Sequence, residues 1–524
     1  MVRRTPDAII PSPPPNLLQV RFPLAILVII GGLTLVGCGD SSEGGDTATP
    51  NPTATAPPPT TAPATSAAPP PTTTAAPTTA AAPTSTTTVA PPEGFAGQIL
   101  PVLERSCARC HTGDGPGTPH LSMETVGDVA AAAHRIGPSL QSASMPPWPA
   151  APGGVAFADS FAITNEERAA LVAWAAEPEI DLPADRPVSS TAEIRTLGNP
   201  DLVIEPAAAY DSTAYQPDEY RCFIYDPGFT EDTWMAAYHF VPGQPQIVHH
   251  AIGYHIDASR RDAAEALDAA HPDNAGWPCF GSSGLGRDEI FLGWAPGQGP
   301  TRLPEGSGLP IGAGDFLVIQ VHYHVELDVP DDRSTLRLDL VDDPSGIDDV
   351  TIVEFVAPAE IPCADDEQGP LCDRATARDA AIAKYGQQGV LADTILAICG
   401  TTAAEVGVLT DGRASASCDL PVRQGGAIVS VLGHQHELGA SFRMTLHPDT
   451  DREVVLLDIP DWRFDWQLRY SPVEPIEVSG WDTIRIECTW DRARRDADLE
   501  PAYVLWADGT DDEMCFATVA IRSR

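Results

Sequence analysis

From about Leu197 onward the chain alternates apolar and polar residues in short runs, and this feature limits the possible folds most strongly. Phe316 to Val321 and Thr483 to Ile486 are two such runs, and Gly, Pro and Asp residues bound them. Because successive strand side chains point to opposite faces, the period of two indicates half-buried β-strands. Roughly 330 residues is too long for one sandwich, so two all-β domains are expected, 197–355 and 356–524.

Helical spacing of apolar residues replaces the strand pattern in two places. Asp373 to Tyr385 predicts a short helix with Asp373 as its N-cap. Segment 93–178 predicts a small all-α domain, with one helix before a Cys pair and a last helix that begins near Asn165. The expected fold is therefore multidomain, with a small all-α domain followed by two all-β sandwiches.

The N-terminus carries the features of an export signal. Three arginines precede an apolar run, Phe22 to Val36, that ends in Leu-Val-Gly-Cys at Cys38. The run predicts a signal peptide over 1–37, and its ending resembles a bacterial lipobox, which makes Cys38 the expected lipidation site. An uncleaved signal anchor is the alternative. We expect a protein that is exported and lipid-anchored to the outer face of the bacterial cell membrane.

Residues 38–92 are dominated by Thr, Ala and Pro, which cannot form a core. This composition predicts a disordered tether between the anchor and the folded domains. The chain as a whole has 73 acidic and 31 basic residues, a formal charge of −42. Such a charge repels nucleic acid, so no nucleic-acid partner is expected.

Eight cysteines remain after Cys38 and the Cys pair of the 93–178 segment are set aside. An even number in an exported protein predicts four disulfides. Proximity in sequence pairs Cys363 with Cys372 and Cys399 with Cys418. The eight are Cys222, Cys279, Cys363, Cys372, Cys399, Cys418, Cys488 and Cys515.

Cys107-Ala108-Arg109-Cys110-His111 is a C-x-x-C-H motif. Two thiols at this spacing can bond both vinyl groups of a haem, and the adjacent imidazole can bind the iron. A zinc site would need two more ligands nearby, and the segment contains no other Cys. The motif therefore predicts one covalently bound haem c, with Cys107 and Cys110 as attachment points and His111 as an axial ligand.

The sixth iron ligand is open on residue type alone. Met145 lies in a Pro-rich loop that would hold its thioether rigidly, and the competitors are His120, Met123 and His134. The layout of 93–178 resembles small class I cytochromes c, with a Met-Pro loop between the motif and a last helix. That resemblance favours Met145.

Histidines cluster in three groups inside the strand-like runs: His249 with His250, His322 with His324, and His434 with His436. Residues i and i+2 of a strand share a face, so His434 and His436 can converge on one ion. Adjacent His249 and His250 can do so only where their strand bends or ends.

Imidazoles without carboxylates fit copper or zinc. A thioether would favour copper, and Met514 is the candidate.

These motifs resemble those of the copper type II ascorbate-dependent monooxygenases, the family of dopamine β-monooxygenase and peptidylglycine α-hydroxylating monooxygenase. The matching elements, in family order, are His249-His250, Val321-His322-Tyr323-His324, His434-Gln435-His436 and Glu513-Met514-Cys515. Lesser matches include Tyr220-Arg221-Cys222 and Phe464-Asp465-Trp466-Gln467. The resemblance implies two jelly-roll-like sandwiches beside a solvent cleft.

The same resemblance implies the two metal sites. An electron-transfer copper would be bound by His249, His250 and His322, and an oxygen-binding, catalytic copper by His434, His436 and Met514. Geometry alone leaves His324 and His255 as alternatives. The resemblance also pairs Cys222 with Cys279 and Cys488 with Cys515.

The implied activity is copper-dependent hydroxylation of an activated C–H bond in a small organic substrate, with O₂ and an electron donor, ascorbate or a redox protein. We expect the haem to supply the electrons to the first copper. Leu432 and Thr518 stand where the peptide-amidating branch has the arginine and tyrosine near its ligands, which disfavours peptidylglycine. The alternatives are a non-catalytic haem and copper electron-transfer lipoprotein and an adhesin-like sandwich with incidental histidines.

Overall fold

The computed structural model describes residues 94–523, except 114, 116, 119, 159, 192–196, 213–217, 280, 281, 287, 288, 297, 326–329 and 508. The expected signal peptide 1–37, the lipidation site Cys38 and the tether 38–92 lie outside the described residues. Within the described ranges, none of the helices combines the length and the hydropathy that crossing a membrane requires.

A helical segment comes first in the described chain. A π-helical turn, Phe95–Ile99, leads into α1 Leu100–Ser106, α2 Ala108–His111, α3 Val126–Gln141 and α4 Asn165–Ala176. Thr125 and Thr164 cap α3 and α4, each within a capping box. The buried faces of these helices share one apolar cluster that includes Leu103, Val126 and Leu171.

The described part of the N-terminal β region, 202–340, contains ten strands and one α-helix. The elements are β1 Leu202–Ile204, β2 Asp218–Tyr225, β3 Thr233–Val241, β4 Val248–Ile256, α5 Arg261–Ala269, β5 Trp277–Pro278, β6 Glu289–Trp294, β7 Thr301–Arg302, β8 Ser307–Ile311, β9 Phe316–His324 and β10 Thr335–Leu340. Five of the strands form a sheet in the order β5-β2-β9-β4-β6.

Among its described residues, the C-terminal β region, 348–522, contains ten strands and three α-helices. The elements are β11 Asp348–Ala357, β12 Glu360–Ile361, α6 Arg374–Tyr385, α7 Leu391–Ile398, α8 Ala403–Val406, β13 Arg413–Pro421, β14 Gly426–His434, β15 Gly439–Leu446, β16 Val454–Ile459, β17 Ile476–Val478, β18 Thr483–Asp491, β19 Val504–Leu505 and β20 Cys515–Arg522. The predicted helix is α6, and the Asp373 side chain accepts the N–H of Thr376 at its N-cap, so this prediction is confirmed.

One nine-stranded sheet joins the two β regions. Its order is β1-β10-β3-β8-β11-β20-β14-β17, with β7 paired to β3. Its first strands share an apolar core with the five-stranded sheet, and its last strands share another with the four-stranded sheet β13-β18-β15-β16. A two-stranded sheet, β12-β19, borders the second core.

The expected fold class is wrong. The described chain is mostly β-sheet with few helices, and its described residues belong to one compact unit without a separate all-α cytochrome c domain. Trp148 and Phe161 follow α3 and pack into the second core, and the Ala151 N–H donates to the Asp458 carbonyl at 2.8 Å. The helical segment therefore packs against the C-terminal β region.

The two β regions that were expected as separate all-β sandwiches are joined to each other, and the expected boundary near 355 stays a prediction. Each β region packs two sets of strands against each other, but β8 and β11 pair across the boundary at Ser307 with Asp348, and Val350 and Val429 of the C-terminal region enter the first core. Helices also enter the second core, where α6 buries Ala377 and α7 buries Ile395.

Four disulfides are present, with the pairing that was expected. They are Cys222–Cys279, Cys363–Cys372, Cys399–Cys418 and Cys488–Cys515, with Cα separations of 5.3 to 5.9 Å.

Candidate functional site

A cleft of about 460 Å³ receives side chains from both β regions. Five of the six expected copper ligands line it, and the sixth, His322, is 2% exposed and lies opposite His250 on the neighbouring strand. The expected ligands therefore form two groups at a single cleft. They come from β4 and β9 in the N-terminal region and from β14 and the loops that follow it and precede β20 in the C-terminal region.

A β-bulge at the start of β4 brings His249 and His250 together. The pairing of β4 with β9 shifts between Val248 and His250, so one extra residue stands against β9 at this point. A bulge bends the strand and redirects a side chain. This is the bend that adjacent histidines need in order to face one site, and His250 lies directly opposite His322.

The ring nitrogens of this group face one another. The His250 Nδ1 lies 3.2 Å from the His249 Nδ1 and 3.3 Å from the His322 Nδ1, and ligating nitrogens of all three rings lie within 4.8 Å of each other. Burial, together with the neighbouring His322 and His249, lowers the pKa of His250 well below its ordinary value. Imidazole nitrogens that converge in this way form a site that suits a soft or borderline cation.

Residues of both β regions surround the first group. The Tyr220 ring stacks on His322, with ring centroids 4.2 Å apart, and its hydroxyl lies 2.7 Å from the Thr510 Oγ1. The Phe464 ring lies 5.5 Å from His249 and 6.3 Å from His436, so it lies beside both groups.

His434 and His436 form the second group, with ring centroids 5.0 Å apart. The His434 Nδ1 lies within hydrogen-bond distance of the Gln467 Oε1, and the His436 Nδ1 lies 3.1 Å from the Asp512 carbonyl. These contacts fix the rings and leave the Nε2 atoms as the ligating positions. Burial lowers the pKa of both rings, that of His436 to about 3, so both are neutral.

Glu513 ties the second group to Met514. Its carboxylate is fully buried and accepts the backbone N–H groups of His436 at 2.9 Å, Leu438 at 2.7 Å and Met514 at 3.1 Å. It also accepts the Trp490 indole N–H at 2.9 Å. Met514 lines the cleft beside His434 and His436.

Sequence reasoning assigned no role to Tyr220, Phe464, Gln467 and Glu513, although all four lie in motifs that it noted. Their contacts join positions far apart in the chain, such as Gln467 with His434 and Glu513 with His436. The available signal was their place inside motifs that accompany the histidine groups.

The two alternative histidines lie elsewhere. His255 is at the far end of β4, where its Nε2 lies 2.8 Å from Asp315 and its Nδ1 3.4 Å from Glu289. Burial opposes protonation of His255, but these two carboxylates raise its pKa. The His324 ring centroid is 6.4 Å from that of His249, farther than the rings of His250 and His322.

The C-x-x-C-H motif spans α2. Cys107 and Cys110 form no disulfide, and burial, with the neighbouring Cys110, raises the pKa of the Cys107 thiol to about 12. The His111 Nδ1 lies 2.7 Å from the Leu121 carbonyl, which leaves Nε2 as the free nitrogen. Two thiols and one oriented imidazole fit the chemistry of covalent haem attachment.

Met145 lies in the loop after α3. Its carbonyl accepts a 3.0 Å hydrogen bond from Arg168, and its N–H donates to Ser139. Met123 and His111 are linked through their backbones, since the Met123 N–H donates to the His111 carbonyl at 2.8 Å. The choice of Met145 as sixth ligand stays a prediction.

Part of this chain is distantly similar to a hydroxylase. Over 155 residues it is 26% identical to tyramine beta-hydroxylase of Caenorhabditis briggsae, a match that covers 28% of this chain and 25% of that protein. The chain thus matches about a quarter of the length of this relative. No family model matches the chain.

Solved structures show only weak likeness. A structure of PNGF-II has a TM-score of 0.23 at 8% identity, with 62% of this chain and 65% of that chain covered. A structure of allantoicase has a TM-score of 0.15 at 11% identity, with 59% and 79% covered. At such low TM-scores neither likeness bears on the fold or the function.

Proposed function

We propose that the protein is a copper-dependent monooxygenase that hydroxylates an activated C–H bond of a small organic substrate with O₂. One observation carries the proposal: two groups of converging histidines from different β regions meet at one cleft. The distant similarity to tyramine beta-hydroxylase supports the same reaction class. The substrate of that relative is not transferred to this chain.

In this proposal each group has its own task. His249, His250 and His322 hold the copper that transfers electrons, and His434, His436 and Met514 hold the copper that binds O₂. The copper ions, when bound, supply one-electron chemistry and O₂ activation, with the Met514 thioether favouring the reduced ion. Gln467 and the Asp512 carbonyl orient the two imidazoles.

The first test is metal content together with O₂ consumption. The purified protein loaded with copper should hold two coppers per chain and consume O₂ in the presence of ascorbate and a screened set of small substrates. A protein that holds copper and exchanges electrons, but consumes no substrate-dependent O₂, would support the non-catalytic electron-transfer alternative. A protein that binds no copper would support neither the monooxygenase nor the electron-transfer alternative.

We further propose that Cys107 and Cys110 attach a haem and that His111 and Met145 bind its iron. When bound, the haem would supply single electrons to the copper of the first group. A contact between the two segments favours electron transfer from the haem to this copper. Arg463 donates to the Ser142 carbonyl at 2.7 Å, and the next residue, Phe464, lies against His249. The helical segment therefore contacts the loop that borders the first group.

The haem proposal has a spectroscopic test. Protein produced with haem-maturation factors should carry one covalent haem per chain, and Cys107→Ala, Cys110→Ala should carry none. Oxidation of the reduced haem in stopped-flow measurements should be fast with Cu(II) present and much slower in the His249→Ala, His250→Ala double variant. Equal rates in the two proteins would exclude electron transfer to this copper.

We also propose export and lipid anchoring through Cys38. Metabolic labelling with a radioactive fatty acid should mark the protein and spare the Cys38→Ala variant. Labelling of both would argue against Cys38 as the anchor.

A further inference from the structure

The helix α7 presents an apolar stripe to the cleft. Leu391, Thr394, Ile395 and Ile398 all line the cleft, and their spacing places them on one face of the helix. Ile398 is 55% exposed, although a large aliphatic side chain gains free energy by leaving water. An exposed isoleucine that faces a cleft is a surface suited to an apolar ligand.

Both ends of α7 are anchored, so this stripe is a fixed wall. Near its start, the Asp393 carboxylate pairs with Arg374 at 3.0 Å and with Arg378. Directly after its end, Cys399 is bonded to Cys418 of β13. A preorganised apolar wall binds a ligand without the cost of ordering itself.

Apolar side chains also face the cleft from the sheets. Ile290 and Leu292 come from β6, Leu432 from β14 and Phe516 from β20. Leu432 lies only two residues before His434, so the apolar surface reaches the second group of histidines.

The charges at the cleft disfavour an anion. Among the described residues that line it, Arg469 is the single arginine or lysine, and its Nη1 lies 3.2 Å from the Ser430 hydroxyl. Two carboxylates, Glu354 and Asp465, also line the cleft. Before copper binds, a carboxylate or phosphate ligand would therefore meet net negative charge from these side chains.

We propose that the cleft binds an uncharged, predominantly hydrocarbon molecule against the α7 stripe, and that the substrates of the enzyme belong to this chemical class. The binding surface is read from the cleft itself, whereas its role as a substrate site rests on the proposed monooxygenase function. The cleft volume of about 460 Å³ suits a small organic molecule.

The test is dye binding to the copper-free protein. The neutral dye N-phenyl-1-naphthylamine, whose fluorescence rises in apolar surroundings, should bind about tenfold more tightly than 1-anilinonaphthalene-8-sulfonate, which adds a sulfonate to the same rings. Ile398→Asp should weaken binding of the neutral dye about tenfold because it places a charge in the apolar wall. Thr394→Asp, one helical turn earlier on the same face, should act in the same direction.

Val408→Asp is the matched control. Val408 is 53% exposed and does not line the cleft, so this variant should bind the neutral dye like the parent protein. Circular dichroism and Tm are compared for all three variants, and a variant that loses its fold is replaced by Ile398→Ser. Equal binding of the two dyes, or equal loss in Ile398→Asp and Val408→Asp, overturns the proposal.

The outcome is separable from that of the proposed function. Tight, Ile398-dependent dye binding without any O₂ consumption by the copper-loaded protein would reject the monooxygenase and keep the apolar binding cleft. Copper-dependent oxidation of a charged substrate without dye binding would keep the monooxygenase and reject the apolar binding cleft.

Discussion

The two histidine groups at the cleft are held in different ways. In the first group, His250 and His322 are directly opposite on neighbouring strands, and a bulge in β4 adds His249. In the second, His434 ends β14 and His436 lies beyond it, where Gln467, the Asp512 carbonyl and the buried Glu513 hold the rings and the backbone. The first arrangement depends on strand register and the second on a polar network.

This difference indicates which changes each group should tolerate. A site defined by paired strands persists as long as the sheet does, because register is strongly specified where one face is buried. A site in loops depends on each hydrogen bond that orients it, and loss of such a partner commonly lowers metal affinity or activity 10- to 100-fold, a span of about 1.4 to 2.7 kcal/mol. Substitutions near the second group should therefore separate the two sites.

The largest effect is expected from Met514→Ile. It removes the thioether from the second group and leaves a side chain of similar volume, so oxygenation should be abolished while the first group keeps its copper. Metal analysis and substrate-dependent O₂ consumption on the same preparation measure both quantities.

Met235→Ile is the control for this substitution. Met235 is 1% exposed in the first core, away from the cleft, so the same exchange there should leave oxygenation close to that of the parent. Full oxygenating activity in Met514→Ile would show that Met514 is not a ligand, and the contrast between the two groups would lose its main support.

Much of this contrast could be predicted from the sequence, because strand period is a local property. The period of two placed His434 and His436 on one side, and it identified the requirement that the strand bend at His249. The position of the bulge was not predictable, since it depends on the pairing of β4 with β9. The Asp373 cap of α6 was predictable because an N-cap acts over three residues.

The packing of distant segments was not predictable in this way. The helical segment was expected to form its own domain because its local spacing is helical. Its Trp148, however, packs edge-on against Tyr470 with ring centroids 5.1 Å apart, a contact across more than three hundred residues. The role of Glu513 depends in the same way on backbone groups of 436 and 438, which a sequence pattern does not reveal.

A smaller but more selective effect is expected from Glu513→Gln. Glu513 has two acceptor oxygens, one for the N–H groups of His436, Met514 and Trp490 and the other for that of Leu438. Glutamine has only one, so its NH₂ group must face at least one of these N–H donors, and the backbone around His436 loses a fixed contact. The affinity of the second site for copper should fall about 10- to 100-fold, with the first site unchanged. Competition titration with a chelator, followed by copper spectroscopy, resolves the two sites.

Glu360→Gln is the matched variant. Glu360 is likewise buried in the C-terminal β region, where its carboxylate makes a bidentate pair with Arg374. Its substitution should lower Tm without a selective loss of one copper. If both variants lost copper from the second site equally, Glu513 would be a general stabilising residue and not a positioning residue.

The smallest effect is expected from Tyr220→Phe. Tyr220 lies on β2 and Thr510 in the loop before β20, so their hydrogen bond connects the two β regions across the site. Phenylalanine keeps the ring that stacks on His322, and the first copper should stay bound. Loss of one hydrogen bond should cost about 1 kcal/mol of stability and lower turnover by a few-fold, because the two groups then hold their relative position less firmly.

Tyr225→Phe is the matched control. It removes a hydroxyl that donates to the Ser334 carbonyl within the first core, and it should cost a similar amount of stability with turnover unchanged. Equal turnover in the two variants would mean that the connection through Thr510 does not matter for the reaction, and that the sheet alone holds the first group in place.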